Sequence, residues 1–389
     1  MISVEDALTR CLDLVKPLPP ETVPLAQAAG RWMRAPATAR RDQPPFPASA
    51  MDGYAVLGDP NADASFEVIG EAGAGHAFDG TVGAGQAVRI FTGAPVPKGA
   101  TRVVIQEDVS RDGDRITVTT APDGSTNIRP LGQDFRAGDS LSPRRLRPND
   151  LALLAAMNIP AVQTSRRPVV ALIATGDELV MPGEDPSPDQ IIASNSFALK
   201  ALIEAEGGQA RLLPIARDSE AELATVLSLA EDADLIVTIG GASVGDHDLV
   251  GKTAGLEHSF WKIAMRPGKP LMAGRLNGIP MLGLPGNPVS AVVCGHLFLL
   301  PMVRAMLGDP APAPQLRRAR LAVDLPANGP RAHYMRSRLT LGDGLPDITP
   351  FDRQDSALLS ILGQADALLI RPIEDGPVNA GTMVDYLPI

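Results

Sequence analysis

The stretch PVVALIATGDEL, Pro168 to Leu179, decides the fold. Its run Val169–Ala174 is continuously apolar and does not alternate with polar residues, which reads as a short strand buried on both faces. The segments that follow keep changing period. SNSFALKALIEAEGG (194–208) has helical spacing and stops at a double glycine, and ARLLPIA (210–216) is a second strand. SEAELATVLSLAEDA (219–233) is a helix with Leu223, Val226, Leu227 and Ala230 on one face, and DLIVTIGG (234–241) is a third strand. Strand and helix alternating in this way predict a mostly parallel sheet covered by helices. Ligands of such sheets collect outside the carboxyl ends of the strands. Two of those ends are polar here, TGDEL (175–179) and GGASVGDHD (240–248).

Working outward, residues 3–16 form an amphipathic helix with Val4, Leu8, Leu12 and Val15 at helical spacing and a start capped by Ser3 with Asp6. The prolines of RRDQPPFPASA (40–50) impose an extended crossing segment. From about 50 to 141, short runs such as FEVIG, QAVRIF, RVVIQEDV and RITVTT predict an all-β module, with a hairpin at RDGD (111–114). RRLRPNDLALLAAMNIP (144–160) returns to helix, capped by Asn149 or Asp150. After the proline-rich GDPAPAP (308–314), the last segment reads as a small β barrel or sandwich.

At 389 residues the chain has room for two to four domains. Hydrophobic residues at 44% and charged residues at 21% are globular values. A net charge of −10 argues against a nucleic-acid partner, because neutralising phosphates takes a basic face. Cys11 and Cys294 are far apart and build no disulfide framework, and ISVEDALTRCLDLV shows no basic segment ahead of an apolar core. Val289–Met302, the most apolar run, is interrupted by His296 and Pro301 and falls short of a membrane span. A cytoplasmic, reducing compartment and no membrane partner are therefore the expectation.

Gly240 and Gly245 in TIGGASVGDHDLV (238–250) have P-loop spacing, but Asp246 and His247 stand where that loop needs Lys and Ser or Thr. Two readings are open: a tight strand–helix turn with solvated acids, or a carboxylate pair, Asp246 and Asp248, that holds Mg²⁺ through oxygen. Asp177 and Glu178 come to the same rim if the two strands are neighbours, and four carboxylates at one rim favour the cation. Asp218 either joins them or caps a helix. MRPGKP (265–270) sets Arg266 and Lys269 around a rigid turn suited to an oxyanion. In GLPGNPVS (283–290), Asn287 and Pro288 open a helix whose N–H groups can face an anion. SAMDGYA (49–55) and RIFTGAPVP (89–97) place Asp52 and Thr92 in glycine-flanked turns, and NIRPLGQDFRAGD (127–139) adds Arg129 and Asp134. The five histidines lack metal-ligand spacing, and no G-x-S-x-G or activated cysteine offers a nucleophile.

In this order, SAMDGYA, RIFTGAPVP, TGDEL, GGASVGDHD, MRPGKP and GLPGNPVS resemble the molybdopterin molybdenumtransferase family, the bacterial MoeA proteins and the C-terminal domain of gephyrin. The resemblance implies four parts: a helical, extended N-terminal domain (1–48 and 142–167), an inserted β module (49–141), a molybdopterin-binding α/β domain (168–310) and a C-terminal β barrel (311–389). It also implies a homodimer with the active site between subunits. The implied reaction takes adenylylated molybdopterin and molybdate, hydrolyses the adenylate with a divalent metal such as Mg²⁺, releases AMP and leaves molybdenum on the dithiolene.

Carried over motif by motif, Asp246 and Asp248 serve the metal and the phosphate linkage, with Asp177 as a further ligand and Glu178 as a catalytic group. Gly240, Gly241, Ser243 and Gly245 line the nucleotide–pterin cleft, and Arg266, Lys269, Asn287 and Ser290 hold its phosphate side. Asp52, as a catalytic group, and Thr92 come from the β module across the dimer. Arg266 stands where the family more often has Lys, and GQDF (132–135) replaces its Gly-Glu-Asp run. QDSALLSIL (354–362) also looks family-like, with no role assigned. A non-catalytic molybdopterin-binding paralogue or scaffold is the alternative, and an acidic rim has no use there. A lone adenylyltransferase domain leaves residues 1–167 and 311–389 without purpose, and a dinucleotide-binding dehydrogenase lacks its G-x-G-x-x-G.

Overall fold

In the computed structural model the chain divides into two compact units, residues 1–21, 30–34 and 164–389 in one and residues 22–29 and 35–163 in the other. Residues 1–241, 250, 253, 255–342 and 344–389 are described.

The first unit begins with helix α1 (Val4–Asp13), whose Ser3 cap accepts the Asp6 N–H at 3.0 Å. Its apolar stripe enters the main core through Ala7 and Cys11, and Arg10 donates to the Ser259 carbonyl at 2.9 Å. The run that began the sequence reading is strand β1 (Val169–Ala174), followed by α2 (Asn195–Glu206), β2 (Gln209–Leu212), α3 (Glu220–Ser228) and β3 (Leu235–Ile239). The double glycine ends α2 as expected, with Gly207 in the left-handed conformation. All five residues of β3 are buried, because helices cover both faces of the strand.

Three further strands of this sheet escape the sequence reading: β4 (Leu256–Trp261), β6 (Met272–Leu276) and β7 (Ile279–Leu284), with the short β5 (Met265–Arg266) lying outside it. The order is β2-β1-β3-β7-β6-β4, parallel from β2 to β7 and antiparallel for the last two pairs. The missed hairpin β6–β7 turns at Asn277–Gly278, both at positive φ, which is a strong local hairpin signal.

Beyond β7 the chain runs through helix α4 (Pro288–Cys294), one widened turn at Gly295–Leu299 and helix α5 (Leu300–Leu307). Pro301 interrupts the bonding pattern without ending the helix. It has no N–H to offer, and the turn before it widens so that the Leu300 N–H reaches the Gly295 carbonyl. Pro288–Leu307 is long and apolar enough to cross a membrane, but 83% of its most apolar window is buried inside the protein. Phe298, fully buried there, contributes about 1.5–3 kcal/mol of hydrophobic stabilisation. Both cysteines are free and buried in the same core, and burial pushes the Cys11 thiol up to about 12.

The C-terminal segment closes a five-stranded barrel from β8 (Arg317–Leu321), β9 (Ala332–Thr340), β10 (Asp347–Pro350), β11 (Ala367–Arg371) and β12 (Met383–Pro388). The ring runs β9-β10-β8-β12-β11 and returns to β9, around Leu321, Ile348, Leu369 and Tyr386. β5 adds to β9 in parallel, pairing Arg266 with His333. Ala332, Tyr334 and Leu368 on the barrel's other face join the core of the α/β sheet's helices.

The second unit centres on a six-stranded sheet in the order 102–105, 53–56, 86–90, 65–72, 115–118, 109–112, with one parallel pair, 65–72 with 86–90. The RDGD hairpin forms as expected. Gly53–Val56, read from sequence as the flank of a turn, is a wholly buried strand with partners on both sides. The helix after the module spans Pro148–Ala156, and its cap is Arg147 rather than Asn149 or Asp150. Asp150 instead reaches back from the first turn, its carboxylate accepting the Arg147 N–H at 2.8 Å.

Two buried histidines make stability depend on pH. Burial, then the Arg304 charge, pushes His296 down to about 4; burial, then Arg266, Arg336, Arg331 and Arg371, does the same to His333. An unfolded imidazole takes up its proton near about 6.5. Folding stability is therefore fully present above that value and is lost progressively as pH falls towards about 4. Denaturant unfolding at pH 7 and pH 5 measures the loss, and a His296→Gln/His333→Gln variant is expected to lose less between the two. An equal loss in both proteins contradicts the assignment.

Candidate active site

Parallel pairing sets Ala174 beside Ile239 and Ile239 beside Leu284, so β1, β3 and β7 finish at one edge of the sheet. A cleft of about 440 Å³ opens there. Its floor is Thr175, Gly240, Gly241, Pro285 and Gly286; its walls include Glu178, Ile191, Ile192, Asn195, Asp218, Pro270 and Asn287. Strand-end bonds continue the ladder into the floor: the Thr175 N–H donates to the Ile239 carbonyl and the Gly240 N–H to the Leu284 carbonyl, both at 3.0 Å. Glycine is required at this floor. Gly240 has φ +92°, and a Cβ there would lie 2.9 Å from the Thr175 carbonyl oxygen.

On the acidic side, Glu178 and Asp218 line the cleft while Asp177 turns aside, its carboxylate accepting the Asp218 N–H at 3.0 Å. The helix-cap alternative for Asp218 is set aside by Ser219, which caps α3 by accepting the Glu222 N–H at 3.2 Å. Asp246 and Asp248, with Ser243 and Gly245, lie outside the described residues.

On the opposite side, Asn287 stands at the start of α4 with Pro288 next, as the sequence implied. Its side chain makes no capping bond and lines the cleft. Ser290 lies in the first turn of that helix, 3% exposed and away from the cleft lining. The Asn195 amide donates to the Gly286 carbonyl at 2.7 Å and so ties the start of α2 to this loop. Arg266 and Lys269 are exposed and do not line the cleft; between them Gly268 packs against Cys294. The family-like QDSALLSIL segment braces the same helix, the Val289 N–H donating to the Ser356 carbonyl at 3.0 Å.

In the second unit, Asp52 and Thr92 are brought together. The Asp52 carboxylate accepts the Thr92 N–H at 2.7 Å and its hydroxyl at 2.8 Å. The N–H, then the hydroxyl, then the Arg89 charge hold that carboxyl below the usual carboxylate range. Arg89 is itself fixed, donating to the Gly53 carbonyl at 3.0 Å and the Gln106 side chain at 2.7 Å. Arg129 and Asp134 line a separate cleft of this unit, with Gln43, Phe46 and Gly93.

Family models match three successive segments: "MoeA N-terminal region (domain I and II)" over residues 2–158, "Probable molybdopterin binding domain" over 171–305, and "MoeA C-terminal region (domain IV)" over 318–389. The chain belongs to the MoeA family of molybdopterin molybdenumtransferases. That places it among the transferases of molybdenum cofactor biosynthesis. It is 35% identical to a molybdopterin molybdenumtransferase of Nostoc, covering 100% of this chain and 94% of that one. A Haemophilus influenzae relative of the same name is 33% identical, covering 100% and 98%. The solved structure of a molybdopterin biosynthesis MoeA protein from Pyrococcus horikoshii superposes with a TM-score of 0.84 at 27% identity, each chain covered in full.

Sequence reasoning missed several cleft residues of this MoeA-family chain. Ile191 and Ile192 pair with Leu179–Val180 in a short parallel bridge and reach the cleft from a polar loop. DQIIA before the helix was the available signal. Arg217, which lies outside the cleft lining and donates to three carbonyls of the Gly176–Leu179 turn, left no signal. The Asp52–Thr92 pair yields a test. Thr92→Val removes the hydroxyl and is expected to raise the Asp52 pKa towards the ordinary value, followed by NMR of the labelled carboxyl carbon. An unmoved titration would refute the hydroxyl's share in the shift, since the Thr92 N–H bond remains in this variant.

Proposed function

We propose that this chain hydrolyses the adenylate of adenylylated molybdopterin and transfers molybdenum from molybdate to the dithiolene, releasing AMP. The observation that carries this reading is the cleft at the carboxyl ends of β1, β3 and β7, where a glycine-rich floor meets carboxylates on one side and the Asn287–Pro288 helix start on the other. Gly240, Gly241 and Gly286 in that floor let backbone approach an anionic pterin–nucleotide. The Asn287 amide at the start of α4 suits its phosphates, and Arg266 and Lys269, exposed outside the cleft lining, are the cations the family motif assigns to its phosphate side.

The cleft's donor set also fits Mg²⁺. All its ionisable donors are carboxylate oxygens, and Mg²⁺ is held by one or two carboxylates beside the substrate's phosphates. Among the described residues no group of three potential ligands converges. The family motif assigns the ion to Asp246 and Asp248 with Asp177, whose carboxylate accepts the Asp218 N–H here and would have to turn towards the cleft to join them. When bound, the ion would neutralise phosphate charge that a protein of net charge −10 otherwise repels. Glu178 then manages the proton of the attacking water. The Asp52–Thr92 pair completes the site from a second copy of the chain, making the working form a homodimer. Two free, buried thiols support a reducing, cytoplasmic setting.

Purified protein supplied with adenylylated molybdopterin, Mg²⁺ and molybdate tests the reaction. AMP release is expected to require both molybdate and Mg²⁺ and to accompany reconstitution of an apo-molybdoenzyme. Asp248→Asn is expected to lose turnover by about 10²-fold while still binding the pterin. Binding without molybdate-dependent AMP release sinks the transferase reading and favours the scaffold.

A further inference from the structure

We infer that Arg217 is a positioning residue of this site, acting through the Glu178 carboxylate. The inference rests on the catalytic role proposed for Glu178. One guanidinium nitrogen, Nη1 of Arg217, donates to the carbonyls of Gly176 at 3.4 Å, Asp177 at 3.0 Å and Leu179 at 2.9 Å. The remaining carbonyl of this four-residue turn, that of Glu178, accepts the Ile191 N–H at 2.7 Å. Every carbonyl from 176 to 179 therefore has a partner, and one cation supplies three of them. Past the end of β1 the short strand at Ile191 reaches only the Glu178 carbonyl of this turn, and the backbone polar groups of an irregular turn need partners to hold it in one shape.

Among the described residues Arg217 makes no carboxylate salt bridge, and the hydrogen bonds its guanidinium donates all go to the carbonyls of this turn. The next residue clamps the same turn from a second side, the Asp218 N–H donating to the Asp177 carboxylate at 3.0 Å. Turn shape and carboxylate position are then one constraint. Gly176 has φ +143°, and a Cβ there would lie 2.3 Å from Oε2 of Glu178, so the carboxylate is folded back over the bare Gly176 Cα. Releasing the carbonyls changes the turn and moves the carboxylate. A lysine ammonium offers one charged point without the planar fork and is a partial substitute.

The experiment is a double-mutant cycle on the full-length protein, with kcat and KM for adenylylated molybdopterin read from AMP release. Arg217→Gln is expected to lower kcat by about 10- to 100-fold with little change in KM, because a displaced catalytic group costs that order of rate. Arg217→Lys should recover part of the loss. The Arg217→Gln/Glu178→Gln double variant should be no slower than Glu178→Gln alone, since both changes remove the same contribution. Gly176→Ala, which displaces the carboxylate by crowding, should behave as Arg217→Gln does and serves if that variant does not fold. Wild-type kcat in Arg217→Gln, or losses that multiply in the double variant, overturn the inference while the reaction stands. A Glu178→Gln enzyme as fast as wild type overturns it together with the catalytic reading of Glu178. A wild-type protein without molybdate-dependent AMP release removes both the inference and the proposed reaction.

Discussion

Parallel hydrogen bonding between β1 and β3 sets the register on which the cleft depends. Pairing Ala174 with Ile239 puts Thr175 directly against Gly240, close enough that a single added carbon on the glycine would collide with a backbone carbonyl. A shift by one residue turns every side chain of a strand to the other face, and β3 is buried on both faces, so the core holds that register in place. The acidic turn after β1, the glycine floor after β3 and the Pro285–Asn287 loop after β7 then meet at one edge without further instruction. The barrel supports this edge from a distance. It pairs β9 with β5, carries Arg266 on that strand, and bonds Ser356 to the first turn of α4.

Electrostatics divide the cleft as its proposed substrate requires. Carboxylates gather on the side of the turn after β1, and Asn287 and Pro288 at the start of α4 face them across the cleft. The net-acidic chain offers no long-range attraction to an anion, so recognition falls to short-range groups. The β module follows the same economy. Two hydrogen bonds from Thr92 and the nearby Arg89 charge hold the Asp52 carboxyl below the usual carboxylate range without a salt bridge among the described residues.

Much of this architecture was legible in the residues. Val169–Ala174 and Leu235–Ile239 announce buried strands because strands covered on both faces need uninterrupted apolar runs, and the family's motifs located the acidic and glycine-rich strand ends. The β6–β7 hairpin lies between MRPGKP and GLPGNPVS, and its only local signal is the Asn277–Gly278 turn, which neither motif contains. Gly53–Val56 hid behind its neighbouring Asp52 turn, four residues being too few to show a period. Arg217 was invisible in principle. Its partners lie about forty positions away, and nothing in a single basic residue after a strand says which carbonyls it will reach. The Asp246–Asp248 pair is legible only in sequence, since it lies outside the described residues.

A structure of the protein with AMP, Mg²⁺ and molybdopterin bound tests the central claim most directly, that the strand-end cleft is where the adenylate is held. The account predicts phosphate oxygens over Gly240 and Gly241, with Mg²⁺ between them and carboxylates of the 177 and 246–248 segments. Nucleotide bound elsewhere, with the glycine floor empty, would contradict it.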